Sequence, residues 1–238
     1  MNRIARRGRP LIGIVILILL TLITTSCSRS IRDRNKHAMP LNMADFHQDA
    51  RTWTYTETDA ASTAEVTFTK LVVGQVQYHG HTAWLIVTTQ PHHPIQMREY
   101  LTFDASTGTY LGIEMVDSEA QTVQDYPVLP GVRFSSLLAP GAPLVSSYDV
   151  TENGEIIHWK VESQILETQY EKVQVPAGTF DHALRVRTRV TTSRNTVSPP
   201  TSNVVTVEED TWYVPEIGVV KNRTADGSRS TVLTDYSR

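Results

Sequence analysis

Beyond about Asp49 the chain alternates apolar and polar residues at a period of two, which is typical of β-strands that bury one face. In "RTWTYTET", Trp53 and Tyr55 share one face and threonines occupy the other. In "AEVTFTKLVV", Val66 and Phe68 again share a face. No segment carries a long apolar stripe at the helical period. The pattern therefore predicts a mainly β domain over residues 49–238.

Further segments predict strands joined by tight turns. "TAWLIVTT" is apolar enough to be covered on both sides, and "REYLTFDASTGTYLGIEM" predicts a hairpin whose turn takes a positive φ from Gly108. "IIHWKVESQILETQYEKVQV", "HALRVRTRVTTS" and "RSTVLTDYS" predict single strands, and "VVTVEEDTWYVPEIGVVKNRT" predicts a hairpin.

"YPVLPGVRFSSLLAPGAPLVSS" holds four prolines, which exclude a central strand. We predict a connection there, with a short helical turn at Phe134–Leu138.

The stretch "KVQVPAGTFDHALRV" places a Pro-Ala-Gly-Thr sequence between two β-like runs. Pro176 and Gly178 suit a β-turn, because proline presets φ and glycine tolerates positive φ. Phe180 then anchors the corner in the core. A phosphate-binding loop would need more glycines, a lysine and a following helix. The stretch therefore predicts a structural corner.

Two parts of the chain resemble each other. "KLVVGQVQYHGHTAWLIV" and "KVQVPAGTFDHALRVRTRV" each read as a strand, a glycine-containing corner and a second strand. Ala83 and Ala183 occupy like positions in the two. This similarity predicts a duplicated β unit, with repeat halves over residues 49–126 and 145–238. β composition alone could also produce it.

The N-terminal residues have the composition of a secretory signal. "MNRIARRGRP" carries four arginines and no acid, and an apolar run follows from Leu11 to Ile23. Small residues then lead to Cys27, the single cysteine of the chain. This arrangement resembles the lipobox of bacterial lipoproteins, although Thr24 stands where leucine is usual. The resemblance implies that residues 1–26 are removed and Cys27 is acylated. An uncleaved membrane anchor is the alternative.

Residues 27–48 have little periodicity and several charges, which predicts a tether between the lipid and the β domain. The exported part has no second thiol, so no disulfide can form within it. Without residues 1–26 the chain has 18 Lys and Arg against 25 Asp and Glu. A mildly acidic domain is a poor candidate for nucleic-acid binding.

"VQVPAGTFDHALRV" followed by "TWYVPEIGVVK" resembles a signature of uncharacterised bacterial exported proteins. In these proteins a Val-Pro-Ala-Gly-Thr-Phe corner precedes a hairpin that begins with Trp-Tyr. The matching hairpin positions are Trp212, Tyr213, Pro215, Gly218, Val220 and Lys221. Val214, Glu216 and Ile217 depart from the pattern. The resemblance implies a curved antiparallel sheet or partly open β-barrel, with Pro215 and Gly218 in a turn, and it carries over no activity.

Metal and hydrolase chemistry have little support in the sequence. His79 and His81 flank a predicted turn, and His92 and His93 lie in a proline-bounded loop. No Gly-x-Ser-x-Gly motif is present, and the acidic run at residues 208–210 is typical of a solvated strand. We therefore expect no catalytic residue, no metal and no cofactor.

The sequence thus predicts a non-catalytic lipoprotein of a bacterial cell envelope, anchored through its N-terminal lipid. It would act as a binding or carrier module for an apolar ligand or a partner protein. The alternative is a structural or assembly lipoprotein without a small-molecule site, and an envelope hydrolase is less favoured. The residues predicted to contact a ligand are Trp53, Trp84, Trp212, Arg185 and Arg187.

Overall fold

The computed structural model describes residues 51–152, 155–197 and 200–237, and within these ranges it contains twelve strands and no helix. The first six are β1 (Thr52–Asp59), β2 (Ser62–Tyr78), β3 (His81–Thr89), β4 (Ile95–Phe103), β5 (Thr107–Asp117) and β6 (Thr122–Ser135). The others are β7 (Leu144–Glu152), β8 (Glu155–Val175), β9 (Gly178–Val197), β10 (Pro200–Val214), β11 (Gly218–Thr224) and β12 (Arg229–Ser237).

All twelve strands form one antiparallel sheet. Its order runs β6-β5-β4-β3-β2-β1-β12-β11-β10-β9-β8-β7, so β1 and β12 meet at its middle. The sheet curves until its two edge strands approach each other, and the N–H of Arg133 in β6 donates to the Ser146 Oγ in β7 at 2.8 Å. The result is a nearly closed, barrel-shaped sheet, which confirms the predicted fold class. The duplication of a β unit stays a prediction.

Strand alternation separates the inner face of this sheet from the outer one. Trp53 and Tyr55 project inward, as the sequence pattern predicts, and are wholly buried in the main core. A smaller cluster covers β2–β5 on the other face, where the rings of Tyr78 and Tyr100 stack with centroids 3.7 Å apart. The main core therefore lies inside the curved sheet, where any interior site would also lie.

The proline-rich segment differs from the prediction. Pro127 and Pro130 lie within β6 rather than in a connection. They are tolerated there because β6 is an edge strand and its pairing with β5 is irregular between Pro127 and Val132, and edges and bulges accommodate a residue without an N–H. The predicted helical turn at Phe134–Leu138 is wrong, because Phe134 is still in β6 and pairs with Gly108 of β5.

The turn before β5 also differs from the prediction, because Gly108 has no positive φ. The Asp104 carboxylate forms this turn by accepting the N–H groups of Ser106 at 2.9 Å and Thr107 at 2.6 Å. Gly108 instead makes room for a ring, since a Cβ there would stand 2.1 Å from Cε2 of Phe134.

Two other glycines do adopt the strained conformation. Gly178 begins β9 after a two-residue turn at Pro176 and Ala177, with φ +148°. Gly218 begins β11 with φ +98°. Phe180 is half-buried against the main core beside the first of these corners.

Candidate functional site

The N-terminal part of β10 forms an exposed edge of the sheet. β11 pairs with β10 only over Glu209–Val214, whereas β9 pairs with β10 from Pro200 onward. Pro200–Val207 therefore has a ladder partner on one side only. Val204 and Val205 are 60% and 48% exposed there, on opposite faces of the strand. Residues 201–207 of this stretch, called the β10 edge below, present backbone hydrogen-bonding groups together with apolar side chains.

The β10 edge lacks the features with which proteins usually protect exposed strands. Residues 201–207 read "TSNVVTV" and contain no charged residue and no proline. The edge strand β6, by contrast, holds Pro127, Pro130, Asp125 and Arg133, and β7 holds Asp149. Charges and prolines on an edge discourage the pairing of another strand. Of these edges, the β10 edge is the one suited to accept another strand.

The three arginines of β9 that alternate with valine and leucine form ion pairs on the outer face. Arg187 binds Asp210 in a bidentate manner, with nitrogen–oxygen distances of 3.0 and 2.9 Å, and the Asp210 side chain is 1% exposed. Arg185 pairs with Glu167 at 2.6 Å. Carboxylates of the same sheet thus already engage both arginines that the sequence analysis assigned to ligand contact.

The tryptophans assigned to ligand contact lie at different places. Trp53 is buried inside the sheet, and its Nε1 donates to the Ile217 carbonyl at 2.9 Å. Trp84 is half-buried against the main core. Trp212 is on the outer face, where its Nε1 donates to the Glu171 carboxylate at 2.5 Å and the Lys221 ammonium lies 5.0 Å from its ring.

The structure therefore does not gather the five predicted contact residues into one site. Trp212 and Arg185 are direct neighbours on β10 and β9. Trp53 belongs to the opposite face, on β1. Ligand contact at the five residues stays a prediction.

Four polar side chains lie on the inner face, one on each of the strands β2 to β5: Lys70, Thr88, Glu99 and Tyr110. We call them the inner polar quartet. The Lys70 Nζ lies 3.8 Å from the Glu99 Oε2, and their side chains are 6% and 0% exposed. The polar side-chain atoms of all four are enclosed and have no hydrogen-bond partner among the described residues. Such an arrangement is costly, because buried polar groups normally have partners.

Burial shifts the ionisation of the quartet. It raises the pKa of Glu99 to about 7, against the opposing effect of the Lys70 charge. It also lowers the pKa of Lys70, which the charges of Glu99 and Glu57 partly offset. The pKa of Tyr110 is raised by burial and by the nearby charge of Glu99, so its hydroxyl stays protonated.

A second polar group on the inner face differs because its members have partners. The Asn222 side-chain amide donates to the Glu209 carboxylate and to the Thr211 hydroxyl, both at 2.9 Å. Arg229 adds a weaker contact to Glu209 at 3.4 Å. Burial still raises the pKa of Glu209. This group is a satisfied buried network, in contrast to the quartet.

In the described part of the chain the histidine pairs belong to no group of three or more metal-ligating side chains. His79 instead contacts the Asp125 carboxylate at 2.6 Å, and the Tyr78 hydroxyl donates to the same carboxylate at 2.7 Å.

Among the described residues no helix could span a membrane. Cys27, the predicted lipidation site, lies outside them.

The inner polar quartet was not identified from the sequence, although a signal for it exists. Lys70 in "AEVTFTKLVV" lies two residues after Phe68 and therefore on the same, inward face of the strand, where the alternation predicts an apolar residue. Glu99 occupies the same kind of position, in phase with Leu101. A charged residue on the apolar side of an alternating strand predicts a buried charge. The contact between the two requires the strand order, which the sequence does not show.

Comparisons with known proteins add a general likeness of shape. No protein-family model matches the chain, and no curated protein matches it. A solved structure of a proposed lipoprotein from Parabacteroides distasonis is 15% identical, with a TM-score of 0.44, over 85% of this chain and 100% of that one. A proposed exported protein with a YmcC-like fold from Bacteroides fragilis is 13% identical, with a TM-score of 0.40 and the same coverage. Because both TM-scores are below 0.5, the function has to be argued from the residues of this chain.

Proposed function

We propose that this protein is a non-catalytic lipoprotein of a bacterial cell envelope that binds an extended segment of a partner protein along the β10 edge. The observation that carries the proposal is the uncharged, proline-free stretch at residues 201–207, which has a ladder partner on one side only. Strand addition to such an edge supplies main-chain hydrogen bonds, and alternate side chains supply specificity. Val204 and Val205 would contact the added strand from opposite faces.

The burial of the tryptophans favours a partner protein over a carried lipid. A carrier would need an open apolar groove lined by tryptophan and tyrosine. Trp53, Trp159 and Trp212 are instead at most 5% exposed, in contact with side chains of the protein itself. A bound acyl chain would therefore have to displace well-packed core residues, which is costly. The β10 edge needs no such rearrangement.

Peptide binding to the full-length protein tests the β10 edge. The purified protein is screened against a displayed library of random short peptides, and hydrogen exchange locates the amides that the selected peptides protect. We expect peptides rich in β-branched residues that protect residues 201–207. The V204K/V205K variant should lose this binding, because lysine on an edge opposes pairing. V123K is the matched control, since Val123 is also exposed but lies on the proline-bearing strand β6.

Two results would overturn the proposal. The first is protection of amides elsewhere in the sheet, or unchanged peptide binding by V204K/V205K. The second is self-association of the full-length protein that V204K/V205K abolishes, because the edge would then bind another copy of this chain instead of a different protein.

Anchoring at Cys27 is the second element of the proposal. It is supported by the basic head, the apolar run that ends at Ile23 and the single cysteine. Cys27→Ser should move the protein from the membrane fraction to a soluble exported form. An unmodified cysteine in the mature protein, or retention of residues 1–26, would contradict anchoring through an acylated N-terminal cysteine.

A further inference from the structure

The Lys70 amine and the Glu99 carboxyl group face each other inside the sheet without any other hydrogen-bond partner among the described residues. From this geometry we propose that the two side chains become joined by an intramolecular amide bond between Lys70 Nζ and Glu99 Cδ. The bond would cross-link β2 to β4 over the intervening strand β3. The inference is independent of the partner-binding function proposed above.

The positions of the strands hold the two groups together. Lys70 pairs with Thr88, and Glu99 pairs with Ile86, two residues earlier on the same face of β3. Both side chains therefore reach across β3 toward each other, to a nitrogen–oxygen distance of 3.8 Å. Well-oriented intramolecular groups react as if present at effective concentrations of about 10⁵–10⁸ M. This gain requires the reacting atoms to lie about 3–3.5 Å apart, so the two side chains would have to approach more closely than their 3.8 Å nitrogen–oxygen separation before packing promotes the condensation.

The surroundings disfavour a stable ion pair. A buried ion pair repays its desolvation only if further hydrogen bonds satisfy both partners. Here both Glu99 oxygens and the Lys70 nitrogen have essentially no water-accessible surface and no hydrogen-bond partner among the described residues. Burial favours the neutral form of both groups, because it lowers the pKa of Lys70 and raises the pKa of Glu99. The neutral amine has the lone pair that attack requires, and the neutral carboxylic acid can lose a hydroxyl group.

The chemistry balances without any further reagent. The Lys70 Nζ lone pair forms a bond to the Glu99 Cδ, and the C=O π electrons move onto oxygen to give a tetrahedral intermediate. The hydroxyl oxygen then leaves with a proton that originates on the Lys70 nitrogen, and the C=O bond forms again. The products are one amide and one water molecule, and nothing is oxidised or reduced.

Two hydroxyl groups can assist the proton transfers. Tyr110, on the neighbouring strand β5, is near enough to Glu99 for that charge to raise the pKa of its phenol. Thr88 lies directly opposite Lys70. Neither hydroxyl has a hydrogen-bond partner among the described residues. Since Tyr110 does not bond to Glu99 before reaction, we assign it as the donor that would reach a Glu99 oxygen only as the tetrahedral intermediate forms.

The cross-link would give this domain a covalent connection that its cysteine content does not allow. The chain has one cysteine, so no internal disulfide can form. An amide between Lys70 and Glu99 would resist reduction and would connect three consecutive strands. It would also replace two buried ionisable groups by one neutral group, which removes the cost of burying their charges.

Peptide mapping of the full-length protein tests the cross-link directly. Trypsin would cut an unmodified chain into linear peptides 52–70, 71–98 and 99–133, because the nearby basic residues are Arg51, Lys70, Arg98 and Arg133. We expect instead a branched species in which Lys70 is uncut and bonded to Glu99. Its mass should be that of peptides 52–98 and 99–133 less one water molecule. Fully linear peptides from the folded, purified protein would overturn the proposal.

The pair formed by Lys172 and Asp181 is the matched control, because it is closer at 2.8 Å but both side chains are 67% exposed. It should remain uncross-linked, and a branched peptide there would assign any cross-link to sample handling. Lys70→Met and Glu99→Met should each abolish the branched species. Tyr110→Phe should fold and lower the cross-linked fraction in freshly made protein several-fold, whereas an unchanged fraction would remove Tyr110 from the reaction.

Discussion

Gly108 and Phe134 are direct partners across β5 and β6, and the ring of Phe134 occupies the space where a side chain on residue 108 would begin. We expect Gly108→Ala to lower the free energy of unfolding by about 1–3 kcal/mol, because its Cβ would overlap the ring and force Phe134 to move. Denaturant unfolding of the full-length protein measures the loss.

Gly141→Ala is the control, since a Cβ there meets nothing within 4 Å and the backbone φ is not positive. It should leave stability nearly unchanged. When Phe134→Leu is combined with Gly108→Ala, the loss in the free energy of unfolding caused by Gly108→Ala should be smaller. An additive loss in the double variant would show that the ring contact is not the cause.

Positive φ makes Gly178 and Gly218 sensitive to substitution for a different reason. A Cβ on Gly178 would meet only Phe180, at an ordinary 3.8 Å, so backbone strain alone should matter at φ +148°. We expect Gly178→Ala, and more strongly Gly218→Val, to lower the melting temperature through a cost of about 1 kcal/mol or more. Unchanged melting for both variants would contradict the strained conformation.

The ion pair between Arg187 and Asp210 should contribute strongly to stability because Asp210 is buried. Arg187→Met would leave this carboxylate without its bidentate partner, with Arg223 at 3.9 Å as the remaining contact. We expect a loss of about 2–4 kcal/mol, less than for a wholly buried pair because Arg187 is partly exposed. Lys172→Met, in a fully solvated pair, should cause no measurable change. Equal effects of the two variants would contradict this explanation.

Tryptophan emission distinguishes a filled interior from a lipid-binding one. Trp53, Trp159 and Trp212 are shielded from water by protein atoms, so their emission should lie at short wavelength in the protein alone. Adding fatty acid or phospholipid should leave the spectrum unchanged. A clear shift, accompanied by a bound mass in native mass spectrometry, would instead favour an apolar-ligand carrier.

Asp226 gives the domain a defined response to acid. The N–H and hydroxyl groups of Ser228 and the Thr224 hydroxyl hold the pKa of Asp226 at about 2, below its ordinary 3.8. A depressed carboxyl pKa contributes stability above its unfolded value, and that contribution is lost as pH falls from 3.8 to about 2. The difference in stability between the wild type and Asp226→Asn should therefore shrink over this window. A difference that is constant with pH would contradict the assignment.

Local patterns predicted the strands, whereas long-range pairing determined the sites. Trp53 and Tyr55 could be assigned to a buried face from alternation alone, because strand geometry is a local property. The edge position of β6, which makes Pro127 and Pro130 tolerable in a strand, depends on the order of the whole sheet. The contact between Lys70 and Glu99 depends on pairing through β3. The exposure of Val204 follows from where β11 ends, which no local pattern records.

The adjacency of β1 and β12 has a consequence for how the molecule is made. During synthesis β1 emerges first and β12 only after all the strands between them, so the central ladder closes between segments far apart in the chain. Pairings of such high sequence separation fold slowly. Until β12 arrives, β1 has a free edge beside the inward-facing Trp53 and Tyr55. An incomplete chain thus exposes apolar surface and an unpaired strand edge at the middle of its future sheet. Such surfaces are prone to aggregation, and a chaperone would protect the chain by covering them.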